Sequence, residues 1–248
     1  MTGILLIHGG WHGPWCWEGF ADRLAGHGHD VRTVQLRGHD QRSGRIWFRL
    51  RHYLEDVERA ARQFAEPPVL VGHSMGGLLA QLHLERHPTR GAVLLASLPR
   101  AGALGVAARL ALRHPLAMLK VNLLLSLKPL VASPALVRAL LFTRDTPQRL
   151  VDSCHARLQD ESYPTFLDMV ALGLRRPGRV HAPVLVLGAE RDSIIPVHLV
   201  RRTARAYHTQ PEIFPAMGHH MALEPGWEDV ADRVDAWVRR MPNVEARR

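Results

Sequence analysis

"VLVGHSMGGLLAQ", residues 69–81, decides the fold. Val69, Leu70 and Val71 form a short apolar run of the kind that makes a buried strand, and Leu78 to Leu82 continue as a buried helix. Between them His73 and Ser74 sit among Gly72, Gly76 and Gly77. Gly72-His73-Ser74-Met75-Gly76 has the form Gly-x-Ser-x-Gly. Between a strand and a helix that pattern places a serine on a sharp corner. The corner strains the serine backbone and leaves no room for a Cβ two positions to either side. In return the hydroxyl stands above the carboxyl end of a sheet, with the N–H groups of a helix N-terminus directly behind it. The five-residue pattern is weak alone, since an ordinary serine in a glycine turn matches it. Its place between strand and helix makes Ser74 a candidate nucleophile.

Outward from this corner, short apolar runs alternate with helix-length patterns. The expected strands are 3–8, 31–36, 68–73, 91–96, 183–188 and 211–215. Four are almost continuously apolar, as in a parallel sheet covered on both faces. Residues 49–64 bring Leu50, Tyr53, Leu54, Val57, Ala61 and Phe64 to one helical face, and 227–240 do the same with Trp227, Val230, Ala231, Val234, Trp237 and Val238. Alternation of strand and helix predicts a doubly wound α/β domain with a mostly parallel sheet. From 100 to 178 the strand signal disappears and helical stretches are punctuated by Pro115, Pro129, Pro134, Pro147, Pro164 and Pro177. The expected organisation is therefore a core of 1–99 and 179–248 with a helical cap, 100–178, inserted over one end of the sheet.

A serine needs a base and an orienting acid to act as a nucleophile. In a parallel sheet both belong at the carboxyl ends of later strands. After the strand 183–188 comes "GAERDSIIP", which offers Asp192, with Glu190 as a weaker rival. After 211–215 comes "AMGHHMALEP", which offers His219, with His220 as its rival. The order Ser74, Asp192, His219 is the serine–acid–histidine order expected of a hydrolase on such a sheet. A bland reading also exists: Asp192 as a turn residue capping the next helix. An oxyanion requires two N–H donors. Met75, following the serine, is one candidate. Gly10, in the glycine-rich loop "HGGWHGPW" after the first strand, is the other. Trp11 and Trp15 flank that loop and are candidates for a substrate pocket, although a tryptophan such as Trp15 is more often core. His8 and His12 are four apart, but the glycines between them oppose the helix that metal ligation at this spacing needs, so no metal is expected. His8 is expected to brace its loop and His73 to support the corner.

The composition fits a single globular domain: 248 residues, 46% hydrophobic and 22% charged. The formal net charge of +9 rests almost wholly on dispersed arginines, since Lys120 and Lys128 are the only lysines. Dispersed charge reads as solvated surface rather than a binding patch, and no nucleic-acid-binding module is present. Cys16 and Cys154 are the only cysteines. Two cysteines make neither a disulfide framework nor a metal cluster, and they suit a reducing compartment. The N-terminus runs directly into "GILLIHGG" without the features of a signal peptide. No apolar run is long enough to span a bilayer. A cytoplasmic protein is expected.

These motifs together resemble the α/β-hydrolase superfamily over essentially the whole chain. "LLIHGGWHGPWCW" (5–17) is similar to the oxyanion-loop region of its small esterases and hydroxynitrile lyases. "LRGHD" (36–40) is similar to a loop common in it, "GHSMGG" (72–77) to its elbow, and "GHHMALEP" (218–225) to the Gly-His-x-x-x-x-Glu segment at its catalytic histidine. The resemblance implies a triad of Ser74, Asp192 and His219, oxyanion donors at Gly10 and Met75, and no cofactor. Larger members carry two strands ahead of the oxyanion-loop strand, so six all-parallel strands are expected here. Serine rather than aspartate at the elbow disfavours epoxide hydrolase and dehalogenase chemistry. Both lysines lie in the predicted cap rather than beside the histidine, which disfavours a hydroxynitrile lyase.

Three function classes follow. The first is hydrolysis of a small-molecule carboxylic ester, thioester or lactone with an apolar acyl group. The second is carbon–carbon hydrolysis, a lyase step or acyl transfer on the same triad, which arginines facing the pocket from the cap would favour. The third is ligand binding without turnover. The Leu- and Ala-rich cap sequence reads first as helices burying leucines against themselves and the sheet, second as an acyl pocket, and last as a surface resting on anionic lipid. The sequence does not decide the oligomeric state.

Overall fold

The computed structural model describes residues 1–40, 47–171 and 180–241. Six strands form one parallel sheet: β1 (Gly3–Ile7), β2 (Asp30–Thr33), β3 (Val69–His73), β4 (Gly91–Leu95), β5 (Val184–Ala189) and β6 (Pro211–Phe214), in the order β2-β1-β3-β4-β5-β6. The four inner strands are the apolar runs of the sequence and are almost wholly buried. The two edge strands are shorter and less buried: β6 is half-buried, β2 is half-buried at Asp30 and Val31 and exposed at Arg32 and Thr33, and β2 ends at Thr33 rather than at the expected 36. An edge strand has one partner, so its apolar pattern and its length are both weakly constrained.

The winding reverses at β1. From β1 the chain passes through α1 (Glu18–Gly26) to β2 on one side, and then through α2 (Leu50–Ala61) to β3 on the other. Right-handed crossovers therefore put α1 and α2 on opposite faces. Helix α10 (Trp227–Arg239) packs on α1, while α3 (Met75–Leu84) packs on α2. Helix α9 (Val197–Ala206) covers β5. The reversal leaves β1 and β3 adjacent, with the loops at their carboxyl ends opening side by side. Open α/β sheets bind ligands at such a point, and the two loops here are the glycine loop after Ile7 and the corner at Ser74.

Between β4 and β5 lie five helices among the described residues: α4 (Leu104–Arg113), α5 (Pro115–Leu124), α6 (Pro134–Leu141), α7 (Gln148–Arg157) and α8 (Tyr163–Ala171). Pro115 and Pro134 occupy first-turn positions, where a missing N–H costs nothing. The expected cap boundary at 178 lies outside the described residues. The block is tied to the sheet by buried polar contacts. Glu224 Oε1 accepts hydrogen bonds from Thr143 N (2.9 Å), Thr143 Oγ1 (2.6 Å) and Thr146 Oγ1 (2.7 Å). Gln159 N donates to the carbonyl of Trp11 at 2.8 Å.

Candidate active site

The corner has the strain its pattern demands. Ser74 adopts φ 53°, ψ −116°, a region that side chains rarely occupy. Its backbone is held on several sides: Ser74 N donates to Leu95 O at 3.0 Å, and Leu98 N and Gly77 N each donate to Ser74 O at 3.1 Å. A Cβ at Gly72 would run into the carbonyl of Gly76, and one at Gly76 into the carbonyl of Ile7. The glycines thus allow the strand, the helix and the neighbouring strand β1 to approach closely. Helix α3 begins at Met75, so the Met75 N–H belongs to the first turn, which has no carbonyl one turn behind it.

The loop after β1 lies against this corner. A Cβ on Gly9 would come within 3.1 Å of Ser74 Cβ. Trp11, next in the loop, takes a left-handed φ of 64° and donates from Nε1 to Leu127 O at 3.3 Å. Gly10, Trp11, Ser74 and Met75 line one cavity of about 60 Å³. Its other walls are apolar: Val106 and Leu110 from α4, Leu127 and Leu130 after α5, Phe166 and Met169 from α8, with Ile194. Among the described residues, Glu161 is the one charged residue on its lining. Trp15 is not on that lining; its ring is buried in the core, with the Arg157 guanidinium 4.7 Å from its centroid.

The geometry separates the rival acids and bases. His219 Nδ1 lies 2.8 Å from Asp192 Oδ2, and both side chains are buried. Asp192 Oδ1 accepts from Ile194 N and Ile195 N, each at 2.8 Å, so the carboxylate is oriented by its own turn. Donation from Nδ1 to this carboxylate leaves Nε2 with a lone pair, the tautomer that a general base requires. Glu190 is exposed and accepts from Ala216 N at 2.9 Å. Among the described residues neither ring nitrogen of His220 has a hydrogen-bond partner; its ring stacks on His73 and Phe142, with centroids 5.0 Å and 5.8 Å away. His73, next to Ser74, has Nε2 2.8 Å from the carbonyl oxygen of His219, which links the corner to the β6 loop.

Burial lowers the pKa of His8, His12, His73 and His220, with His12 brought down to about 4. All four are therefore neutral in the fold at neutral pH. When the chain unfolds below their ordinary value of 6.5, each takes up a proton. Their contribution to stability is complete above pH 6.5 and is lost as pH falls. The loss approaches about 1.4 kcal/mol per pH unit for each histidine. His39 opposes this: burial disfavours its charge, but Glu161 outweighs burial and raises its pKa. Burial lowers His83 as well, to about 4, so with five histidines against one the free energy of unfolding is expected to drop steeply from pH 6.5 towards pH 4.5. Urea titrations across that range check it; a flat profile would contradict the neutral histidine layer.

Sequence reasoning missed Glu161. Its Oε1 accepts from Tyr53 OH at 2.9 Å and from Ser162 N at 2.6 Å, while Oε2 lies 3.2 Å from His39 Nε2. The signal was faint: an acidic pair, Asp160-Glu161, in a strongly basic block. His12, Cys154 and His220 could face a metal ion, since one ligand atom from each lies within 4.8 Å of the others. Neighbouring ligand atoms around tetrahedral zinc are about 3.5 Å apart, so this triangle would have to contract to hold one if its sides approach that limit. His8 does not join it; its Nδ1 lies 2.9 Å from Gly9 O, within its own loop.

The sequence matches the profile of the alpha/beta hydrolase family over residues 4–233. The chain belongs to this family. Among curated relatives, this α/β hydrolase is 36% identical over 94 residues to Methylesterase 10 of Arabidopsis thaliana, which covers 36% of this chain and 34% of the relative. It is 35% identical over 108 residues to Probable esterase PIR7A of Oryza sativa subsp. indica, covering 40% of each. The match thus spans only a third to two fifths of those relatives' length. The whole hydrolase superposes on polyneuridine aldehyde esterase with a TM-score of 0.72 at 18% identity, covering 95% of this chain and 99% of the other. For the esterase EaEST of Exiguobacterium antarcticum the TM-score is 0.73 at 17% identity, covering 96% and 92%. At such identities the likeness concerns the fold.

Proposed function

We propose that this α/β hydrolase cleaves carboxylic esters by acyl transfer, with Ser74 as nucleophile, His219 as base and Asp192 as the acid that orients it. The observations that support the reading are the pairing of His219 with Asp192, a serine held in a strained turn at the edge of an apolar cavity, and the ring of His73, the residue before that serine, 4.8 Å from the His219 ring. In the proposed cycle His219 Nε2 takes the Ser74 proton as Oγ attacks the carbonyl carbon. The tetrahedral oxyanion is held by the N–H groups of Gly10 and Met75, whose residues share the cavity with Ser74. His219 then returns the proton to the leaving alcohol, and water releases the acid from the acyl-enzyme by the same steps. Helices α4–α8 act as the cap that walls the acyl group. The esterase names of the relatives agree with this reading.

The cavity lining also bears on the second class of chemistry. An anionic substrate calls for cations in the cavity, yet among the described residues none on its lining is Lys or Arg and the charged one is Glu161. An uncharged ester with a short acyl group fits better.

A fluorophosphonate tests the nucleophile directly, because only an activated serine displaces its fluoride. One phosphonyl group on the peptide carrying Ser74, found by mass spectrometry, is the expected result. No labelling, or labelling elsewhere, would remove Ser74 from the mechanism. Across p-nitrophenyl esters from acetate to palmitate, kcat/KM is expected to peak at acetate to butyrate. An optimum at long chains would show that the cavity opens well beyond its present volume.

A further inference from the structure

Of the ten exposed large apolar side chains among the described residues, seven lie between Leu104 and Leu125. The exposures are high: Leu112 85%, Leu116 74%, Leu119 55% and Leu123 72%. Within α5, Leu116, Leu119 and Leu123 are spaced i, i+3, i+7 and so form one stripe, while Met118 and Val121 on the opposite side are buried. A contiguous apolar surface of this kind on a soluble domain normally has a partner.

The surrounding charge indicates which partner. From 101 to 144 the chain has no Asp or Glu. Arg113, Lys120 and Lys128 are exposed beside the leucines, and the last two are the only lysines in the protein. In a symmetric pair this face would meet its own copy, Arg113, Lys120 and Lys128 against their equivalents, while the Asp160 carboxylate at its edge is already taken up by Ser126 Oγ and the N–H groups of Leu127 and Lys128. An anionic lipid surface meets both requirements, since leucines enter the acyl boundary while cations stay among the headgroups. No helix among the described residues is long and apolar enough to cross a membrane, so any contact made by these helices is peripheral.

We propose that α4 and α5 dock this protein on anionic lipid surfaces through Leu112, Leu116, Leu119 and Leu123, with Arg113, Lys120 and Lys128 at the headgroups. The burial pattern of α4 points the same way: Val106 and Leu110 line the cavity that holds Ser74, while Leu104 and Leu112 face outward. Docking would bring the cavity wall to the lipid, where apolar esters concentrate. It does not depend on the reaction assigned to Ser74.

The test is co-sedimentation with phosphatidylcholine vesicles, with and without about 30% phosphatidylglycerol. The wild type is expected to bind the anionic vesicles, and Ser74→Ala to bind equally well. The triple variant Leu116→Gln, Leu119→Gln, Leu123→Gln keeps every charge and is expected to lose about a hundredfold in partition. Its hydrolysis of a soluble short ester should stay at the wild-type rate, which also reports that it folds. Absence of wild-type binding overturns the proposal. So does undiminished binding by the triple variant, which would mean general attraction of a basic protein. A concentration-dependent dimer abolished by the leucine substitutions, without vesicle binding, would assign the face to a second copy instead. Failure of hydrolysis with docking intact would count against the esterase reading alone.

Discussion

Replacing Ser74 with alanine is expected to lower kcat for p-nitrophenyl acetate by about 10⁴- to 10⁶-fold, with little change in the melting temperature. Two observations separate activity from stability here. Alanine keeps the Cβ and the backbone that hold the corner at φ 53°, ψ −116°. The bonds that fix Ser74 run through its backbone N and O to Leu95, Leu98 and Gly77, so losing Oγ removes none of them. In the proposed mechanism what disappears is the nucleophile, and water must then attack without an acyl-enzyme. The residual rate measures what the oxyanion donors and binding still supply. Steady-state kinetics on the pure variant, with a thermal melt alongside, decide the matter. A kcat close to wild type would end the covalent mechanism, and a collapsed melt would mean that the hydroxyl has a structural role.

Asp192→Asn is expected to cost about 10⁴ in kcat while preserving the fold. A carboxamide oxygen can still accept from Ile194 N and Ile195 N, which hold the turn at 2.8 Å. The other end then presents an NH₂ to His219 Nδ1, where a carboxylate oxygen now lies at 2.8 Å. The imidazole must accept there, its proton moves to Nε2, and it can no longer take one from Ser74. NMR of the imidazole nitrogens reads the tautomer independently of turnover. If the variant keeps wild-type kcat, or if Nδ1 remains the protonated nitrogen, Asp192 is not the orienting acid. Glu190, exposed and bonded to Ala216 N, would then be examined by Glu190→Gln.

Much of this protein was legible in the sequence because its requirements are local. The elbow needs small residues within two positions of the serine, since helix, strand and a neighbouring strand converge there, and a five-residue pattern records that need. Inner strands buried on both faces must be apolar throughout, so β1, β3, β4 and β5 appear as unbroken runs. The edge strands β2 and β6, with one partner each, left a fainter trace and shifted boundaries. Adjacent or near-adjacent residues were harder. Glu190 and Asp192 share a turn, and His219 and His220 share a peptide bond, so periodicity could not say which side chain faces inward.

The sequence by itself determined the parallel α/β sheet, the strained serine between β3 and α3, and the helical block between β4 and β5. These follow from burial pattern and backbone sterics over a few residues. Only the tertiary structure decided that Asp192 meets His219, that Glu161 joins Tyr53 and His39 at the cavity, and that Trp15 belongs to the core. Each depends on residues far apart in the chain, here up to 122 positions for His39 and Glu161. The leucine face is the clearest case. Helix α5 is apolar on nearly every side, so its hydropathy names no inward direction. Packing of Met118 and Val121 against the rest of the molecule chose one side for the core and left Leu116, Leu119 and Leu123 facing out.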